Sequence, residues 1–558
     1  MRQFNLITDK IAANKKSHFR LFFGLLLVLS MVMMFLYSPI EGGHDFYYHM
    51  RRMNALTDSL RNGTYPIYLD YGGMNGYGYL SKIFYCDFLL LPFGYIGIFT
   101  DAVFAYKCLI FTVTMLCGIL TYHTVKVICK SSFAAAVASL TYTFAIYRLI
   151  DVFQRAALGE SISFTFIPIA FLGIYYLLRG DYRKWYVLAI GFSLLVFTHV
   201  IATFLMFLTM VIILAVNAKK LIRNPKIFFC MGLAGVATLI VTAYYIYPFL
   251  EQAGSSTFYF RTRTNDGLFY GSAMPIGDIM GGMLSAFPSP DKPYLPRMGL
   301  LLTLVILLRV FLLKKLPRLT HVDIGVLIGL LFILSVSFRF PWHVFPFNQL
   351  TFIQFPWRFY EFSTYFFAVA GGYYLLLLIK TDRGKILALA VIAGYTLILL
   401  ITDSKNFKIN AAATGMSEQT GMANNYNMGG LEYFPAKVPS LEYVVERGDS
   451  IKTIYEDTRV TNFERNEGIT SFDVEILHPE KPELPIFYYK GYEAELNGKV
   501  IPLEESDNGL IRIPVGQSGS VKVYYKGTIV QKVSWYITNV SIFALCIYIF
   551  VRKKKKRS

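Results

Sequence analysis

Apolar runs of seventeen residues or more follow one another along almost the whole of this chain. Runs of that length are what an α-helix needs to cross the hydrocarbon core of a bilayer. Of the 558 residues, 55% are hydrophobic and only 16% are charged, and a soluble domain of this size does not tolerate such a composition. We therefore expect a polytopic α-helical membrane protein.

The charge distribution argues against a nucleic-acid partner and indicates a membrane topology instead. The formal net charge is +18, but the Lys and Arg residues lie in short clusters between the apolar runs, which is the pattern that orients membrane helices. By the positive-inside rule these clusters share the cytoplasmic side, so an even number of crossings separates each neighbouring pair. The clusters lie at Lys10 to Arg20, Lys126 to Lys130, Arg179 to Lys184, Lys219 to Lys226, Lys314 to Arg318, Lys380 to Lys385 and in the tail RKKKKRS.

Two of the apolar stretches do not read as single crossings. The run at 185–217 is too long for one helix, so we expect a tight hairpin that turns near FTHVI and places His199 outside. The run at 84–99 is interrupted by Pro92 and is expected to be an interfacial or re-entrant segment. About twelve spanning helices result, near 21–40, 102–125, 132–149, 161–178, 185–198, 201–217, 228–250, 298–313, 322–338, 358–379, 386–402 and 535–551.

This topology places both termini in the cytoplasm and divides the chain into three parts. Residues 1–402 form the transmembrane domain, 403–533 form an extracytoplasmic domain, and 534–558 form the last helix with a basic cytoplasmic tail. In the outer domain, GLIRIPV and GSVKVYYKGTIV are typical of strands, and LNGKVI of a hairpin that turns at Asn497-Gly498. We therefore expect this domain to be small and β-rich. The membrane domain contributes the outer loops 41–83, 150–160, 251–297 and 339–357.

The first outer loop opens with EGGHDFYYHMRR, residues 41–52. Asp45, His49 and Arg52 are separated by helical spacings of four and seven residues, so one helix face could carry all three. An acid flanked by His and Arg can act as a general base, bind a metal or form an ion pair. A polar cap at the membrane interface would give the same pattern. The loop alone does not decide between these interpretations.

Other outer loops add an acid and several cations. In DVFQRAALGESISF, Arg155 and Glu160 precede a helix that starts near Ser161; in the structural alternative Glu160 simply favours the positive end of that helix. Arginines at an outer interface could clamp a phosphate by bidentate hydrogen bonds, although an aromatic belt with snorkelling cations is the alternative for any one of them. The recurrence of such residues in several loops favours a shared site. The arginines of these other loops are Arg261, Arg263 and Arg358.

Several motifs resemble bacterial membrane proteins of the YfhO-like and "6-pyruvoyl-tetrahydropterin synthase-related" type, which look like glycosyltransferases of the GT-C fold. The resemblance spans most of the chain in order, and nothing in this sequence supports the pterin part of the label. The motifs are GHDFYYHMRRMNALTDSLRNGTYP, QRAALGESISFTFIP, FPWRFYEF, LEYFPAKVP and LPIFYYKGYEAELNGKVIPLEESDNGLIRIPVGQSGSVKVYYKG.

The resemblance implies a polyprenyl-phosphate sugar donor that is used on the outer face of the membrane. In the family pattern an acid of the first outer loop is the catalytic base or a metal ligand, and the matching residue is Asp45. Glu160 is the candidate for the second acid, which leaves open whether a divalent metal such as Mg or Mn is required. The residues expected to bind substrate are His44, His49, Arg52, Arg155, Arg261, Arg263 and Arg358.

The leading hypothesis is an integral glycosyltransferase of a bacterial plasma membrane. Its acceptor would be an exported glycan such as a teichoic-acid-like polymer, a lipid or a protein, and a cytoplasmic-side polyprenyl glycosyltransferase would load the carrier. One alternative is a transporter or flippase of lipid-linked sugars, which predicts ionisable residues within helices and paired broken helices. The other alternative is a non-catalytic scaffold for envelope assembly.

Overall fold

The computed structural model describes residues 15–262, 266–292, 294–413, 431–466 and 468–554. The chain is mostly helical, with a small β region near the C-terminus. Within the described residues, six helices are long and apolar enough to cross a membrane, and two bent helix pairs raise this number to eight. These lengths and compositions are compatible with a multi-pass membrane protein. The six are His18–Leu36, Ala102–Cys129, Leu158–Leu178, Pro356–Leu378, Asp382–Ala411 and Ile529–Arg552.

The structure does not confirm the predicted number of twelve crossings. Four of the predicted spans are helices of 12 to 17 residues, which at about 1.5 Å per residue are roughly 18 to 26 Å long and shorter than a hydrocarbon core of about 30 Å. The predicted hairpin does turn at His199, and the segment at 84–99 contains only a short helix, Phe88–Phe99. The four short helices are Trp185–Val196, Val200–Val216, Leu300–Phe311 and His321–Ser335.

Two other predicted spans are broken and one extends further than expected. The span predicted at 132–149 bends by 42° between Ser132–Thr143 and Ile146–Gln154, and the one at 228–250 bends by 76° between Lys226–Val241 and Ala243–Ser255. The helix predicted at 386–402 runs from Asp382 to Ala413, so residues 403–413 continue a helix rather than open the β-rich region. Hydropathy registers the apolar length of a segment, but not the position of a bend.

The chain divides into two compact units. The first contains Met1–Phe46, Val103–Thr238 and Asn265–Ser417, and the second contains Tyr47–Ala102, Leu239–Thr264 and Glu418–Ser558. Besides the helices already given, short helical segments occur at Ile146–Leu149, Tyr182–Lys184, Ala218–Ile222, Asp266–Gly271, Ile276–Leu284 and Phe347–Ile353 in the first unit, and at Phe46–Arg61, Ser81–Phe84, Leu91–Phe99, Tyr259–Thr262 and Leu441–Arg447 in or at the start of the second.

Small residues allow the helices of the first unit to approach closely. A Cβ at Gly173 would lie 2.5 Å from the Cα of Leu188, and one at Gly191 would lie 2.6 Å from the backbone nitrogen of Ala170. These reciprocal contacts join the helix Leu158–Leu178 to its neighbour Trp185–Val196. Small residues at helix contacts are characteristic of membrane bundles, in which tight packing replaces the hydrophobic driving force.

The β region of the second unit consists of two antiparallel sheets. The five-stranded sheet has the order β1-β2-β8-β4-β5, and the three-stranded sheet has the order β3-β7-β6. Side chains from both sheets, including Phe472, Leu484, Ile511 and Val521, share one buried apolar core. The strands are β1 Arg459–Asn466, β2 Ile469–Glu475, β3 Glu483–Phe487, β4 Tyr492–Leu496, β5 Lys499–Ile501, β6 Glu504–Glu505, β7 Leu510–Arg512 and β8 Gly519–Tyr525.

The predicted hairpin is confirmed. Leu496 of β4 pairs with Lys499 of β5, and the two residues between them have positive φ, 51° at Asn497 and 76° at Gly498. Two residues with positive φ define the type I′ turn, whose twist matches that of the flanking strands. The Asn-Gly dipeptide is therefore the local cause of this register.

Candidate functional site

Glu160 is the centre of a buried ionic cluster in the first unit. It lies in the first turn of the helix Leu158–Leu178 and is 1% exposed. Its Oε2 accepts hydrogen bonds from Nη1 of Arg155 at 3.0 Å and from Nε of Arg358 at 3.2 Å, while its Oε1 accepts one from the hydroxyl of Tyr147 at 2.5 Å. Both carboxylate oxygens are therefore engaged, and the carboxylate holds two guanidinium groups side by side.

A second buried acid fixes Arg155 from the other side. Nη1 of Arg155 donates to Oδ1 of Asp151 at 2.5 Å, and Asp151 is fully buried. Asp151 lies in the π-helical turn Ile150–Gln154, and such turns are frequent at functional sites. Here the wider turn ends at Arg155, whose N–H donates to the carbonyl of Ile150 at 2.8 Å.

Arg358 is held by the chain segment that precedes its helix. Its Nη1 donates to the carbonyl of Ile353 at 2.7 Å and to Oε1 of Gln354 at 3.1 Å. The ring of Phe355 lies 5.1 Å from the guanidinium carbon of Arg358 and 5.4 Å from that of Arg155. The described residues provide no hydrogen-bond acceptor for Nη2 of either arginine. Each guanidinium is thus fixed in place with donor capacity to spare.

Asp45 is joined to this cluster through the backbone. Its N–H donates to the carbonyl of Arg155 at 2.9 Å, and the N–H of His44 donates to the carbonyl of Gln154 at 3.3 Å. The approach depends on Gly43, because a Cβ there would lie 2.5 Å from the carbonyl oxygen of Phe153. We refer to Asp45, Asp151, Arg155, Glu160 and Arg358 as the acid–arginine cluster.

Asp45 is the accessible acid of the cluster. Its side chain is exposed to solvent, whereas those of Asp151 and Glu160 are buried. Protein atoms nevertheless surround the Asp45 carboxyl closely enough that lost hydration raises its pKa, an effect that Arg155 and Arg358 oppose and Glu160 adds to. Solvent access decides which acid can meet a substrate, and the raised pKa makes this carboxylate a stronger base than a free aspartate.

His199 approaches the same group of charges from the hairpin turn. Its Nδ1 accepts a hydrogen bond from the N–H of Ala202 at 3.3 Å and so caps the helix Val200–Val216. Burial lowers the pKa of His199 to about 3, with Arg358 contributing in the same direction. The imidazole is therefore neutral near pH 7 and is a structural cap rather than a cation of the site. Gly159 makes room for it, because a Cβ there would lie 3.2 Å from the His199 ring.

Two non-glycine residues of the site have strained backbone conformations. Ala156, next to Arg155, has φ 50°, and Gln354, which binds Arg358, has φ 66°. Left-handed conformations of residues with a side chain cost of order 1 kcal/mol and cluster where function requires them. Each strained residue adjoins one of the two arginines that Glu160 holds.

The remaining predicted site residues belong to the second unit. Arg52 is buried, donates to Oδ1 of Asp87 at 2.6 Å and lies 3.1 Å from Nδ1 of His49, and Nζ of Lys82 donates to the same Asp87. His49 and Arg52 thus contribute to a buried ion-pair network. Arg261 is exposed, and Arg263 lies outside the described residues.

Sequence reasoning did not single out Asp151 or the aromatic platform Phe355. Asp151 could have been found, because it stands four residues before Arg155, a spacing at which helical ion pairs form. Phe355 carries no such signal, since its role depends on the approach of two distant helices. A further buried acid, Glu361, accepts a hydrogen bond from the hydroxyl of Ser163.

The donor set does not fit the divalent metal that the resemblance left open. Both oxygens of Glu160 are occupied by Arg155, Arg358 and Tyr147. Among the described residues no group of three or more His, Cys, Asp or Glu side chains is arranged to hold a metal ion. Two guanidinium groups stand where a metal-dependent site would place its cation.

A comparison with models of known protein families gives no match to this chain, and a comparison with curated proteins gives none either. Function is therefore inferred from the acid–arginine cluster and from the chemistry that it allows.

Proposed function

We propose that this protein is an integral membrane glycosyltransferase of the GT-C type, which transfers a sugar from a polyprenyl-phosphate donor to an exported acceptor. The observation that carries the proposal is the backbone hydrogen bond of 2.9 Å from Asp45 to Arg155. It joins an accessible carboxylate to a fixed pair of guanidinium groups. Sugar transfer from a lipid phosphate needs that combination, a base for the acceptor and cations for the leaving group.

The reaction assigns one role to each part of the cluster. The Asp45 carboxylate accepts the proton of an acceptor hydroxyl while the hydroxyl oxygen bonds to the anomeric carbon. The bond from that carbon to the phosphate oxygen breaks, and its electron pair leaves with the lipid phosphate. Arg155 and Arg358 stabilise the departing phosphate through charge-assisted hydrogen bonds. No step requires a metal.

In this proposal the two buried acids are positioning residues. Glu160 orients both guanidinium groups and Asp151 orients one of them. A buried carboxylate between two arginines lowers their net charge, but it keeps their remaining N–H groups directed at one place. Preorganised donors are effective because they cost no reorganisation during the reaction.

The proposal includes the orientation predicted by the basic clusters. Both termini and the clusters lie in the cytoplasm of a bacterial cell, and the outer loops and the β region face outward. The short helices and bent pairs then complete the predicted crossings within the bundle, where irregular backbone is tolerated. A cytoplasmic-side enzyme would load the carrier, and the β region would orient the acceptor.

The decisive experiment is sugar transfer by the purified protein in lipid nanodiscs. Radiolabelled polyprenyl-phosphate hexoses serve as donors and a crude cell-envelope fraction as acceptor. Wild type should transfer label, and Asp45→Asn should lower the rate by about 10²-fold or more, the usual contribution of a general base. Asp58→Asn is the matched control, because Asp58 is an exposed acid that pairs with exposed Arg61. Equal activity of the Asp45 variant and wild type would refute the proposal.

One observation favours a transporter of lipid-linked sugars as the second candidate. The helix pair Ser132–Thr143 and Ile146–Gln154 is broken, and its second half carries the buried ionisable residues Arg148 and Asp151. Broken helices with buried charges are typical of secondary transporters. In proteoliposomes a transporter would move a fluorescent polyprenyl-phosphate hexose between leaflets without any acceptor. Movement without transfer would favour this candidate over the enzyme.

A further inference from the structure

A second cavity lies in the first unit among residues that the proposed reaction does not use. Its volume is about 400 Å³, within the range of roughly 300 to 1,000 Å³ that small-molecule sites occupy. It is formed where five helices end or begin: Ala102–Cys129, Leu158–Leu178, Val200–Val216, His321–Ser335 and Tyr360–Leu378.

The cavity extends inward along these helices. Its lining covers the stretches 171–179, 320–328 and 365–373, and eight residue steps at about 1.5 Å correspond to a depth of roughly 12 Å. The inner part is apolar and aromatic. Phe171 and Tyr365, which both line it, stack with ring centroids 4.6 Å apart. An extended apolar group of at least this length would be needed to fill it.

The outer end of the cavity carries positive charge. Arg179 lies at the C-terminal end of one helix, Lys220 follows the end of another, and His321 begins a third. Among the described residues that line the cavity none is acidic. Arg179 and Lys220 come from two basic clusters that are about forty residues apart in the chain. Their convergence on one cavity mouth is a property of the fold.

Arg179 and Lys220 also lack partners that would neutralise them. Within the described part of the chain neither forms an ion pair, and the recorded contact of Arg179 is with the ring of Tyr175, at 5.5 Å. A nearby acid, Asp323, is already occupied by Arg309 and by its own helix cap. The cation pair is therefore available to an anionic ligand.

We propose that this cavity binds an anionic glycerophospholipid, with the phosphate at Arg179 and Lys220 and an acyl chain in the apolar slot. A soluble anion would leave the slot unfilled, and an uncharged lipid would leave the cations unpaired. Basic pockets between membrane helices bind anionic headgroups in this way. The site does not depend on the proposed glycosyltransferase reaction, since none of its lining residues belongs to the acid–arginine cluster.

The test uses the full-length protein in detergent. Binding of phosphatidylglycerol is measured by native mass spectrometry and by the rise in melting temperature that a ligand of the folded state causes. Phosphatidylglycerol should bind and stabilise, and phosphatidylcholine should not. The double variant Arg179→Gln, Lys220→Gln should weaken phosphatidylglycerol binding about tenfold or more, because each cation near a lipid surface adds substantially to attraction.

Two controls separate a site from general attraction. Lys219→Gln, Arg223→Gln removes the same charge from exposed residues that do not line the cavity, and it should leave binding unchanged. Ile174→Trp fills the slot without altering charge, and it should abolish the stabilisation. Equal loss in both double variants would overturn the proposal, as would unimpaired binding to Ile174→Trp. Selective binding of polyprenyl phosphate over phosphatidylglycerol would also overturn it, by assigning the cavity to the carrier lipid.

Discussion

The main-chain N–H of Asp45 donates a hydrogen bond of 2.9 Å to the main-chain carbonyl of Arg155. Because both partners are backbone atoms, the relation between the acid and the cation survives substitution of either side chain. Side-chain variants at these positions therefore test chemistry more than folding. This makes the cluster suitable for mutational analysis.

The pH dependence of sugar transfer should report the raised pKa of Asp45. A general base must be deprotonated, so kcat/KM should rise with pH, with its midpoint above the ordinary aspartate value of about 3.9. Arg155→Gln should move this midpoint to higher pH, because it removes a cation that lowers the Asp45 pKa. A midpoint at or below the ordinary value, or one that does not respond to Arg155→Gln, would contradict the assignment of the base.

Substitution of Glu160 should destabilise the fold more than substitution of another fully buried glutamate. Glu160→Gln leaves Arg155 and Arg358 without their shared anion, and breaking such a buried pair costs about 3 to 5 kcal/mol. Glu361→Gln is the matched control, because the partner of Glu361 is the Ser163 hydroxyl, to which an amide oxygen can also bind. Thermal unfolding in detergent measures both. Equal losses would show that Glu160 does not organise the cluster.

Arg358→Lys should weaken binding of polyprenyl phosphate although the charge is kept. A lysine cannot reach Glu160, the Ile353 carbonyl and a phosphate together, whereas the planar guanidinium can. Loss of one charge-assisted hydrogen bond corresponds to an affinity loss of about tenfold or more. Arg339→Lys, at an exposed arginine, should leave the affinity unchanged. Native mass spectrometry with the added lipid would measure both variants.

His199 should make stability fall as the pH is lowered. Its folded-state pKa is about 3, below its ordinary value of 6.5, so the unfolded chain takes up a proton that the folded protein refuses. Its contribution is complete above about pH 6.5 and is lost as the pH falls towards 3. His199→Gln should flatten the melting temperature over that window relative to wild type, and the exposed control His478→Gln should not. Parallel curves for wild type and His199→Gln would refute this.

Gly498→Ala should destabilise the β region through backbone strain alone. Gly498 has φ 76°, and a Cβ there would meet no atom within 4 Å, so the cost of about 1 kcal/mol comes from the left-handed conformation. Gly516 is equally unobstructed and has no positive φ, so Gly516→Ala is the matched control. Melting of the full chain should be lowered by the first variant only. Equal effects would mean that turn strain is not the cause.

The sequence determined those features that depend on neighbours in the chain. Apolar runs gave rise to long helices, and Asn497-Gly498 formed the predicted turn, because hydrophobic length and backbone preference act locally. Asp45, Arg155 and Arg358 were identified as candidates from their types and flanking residues. The roles of the buried acids could not be obtained in that way.

Only the tertiary structure decided which charges meet. Glu160 and Arg358 are 198 residues apart in the chain, and nothing local indicates that one carboxylate holds two guanidinium groups while Asp45 remains open to solvent. The bends at 144–145 and 242 were decided at the same level. The physical reason is that burial and ion pairing depend on the approach of distant helices, whereas periodicity and turn preference are written into consecutive residues.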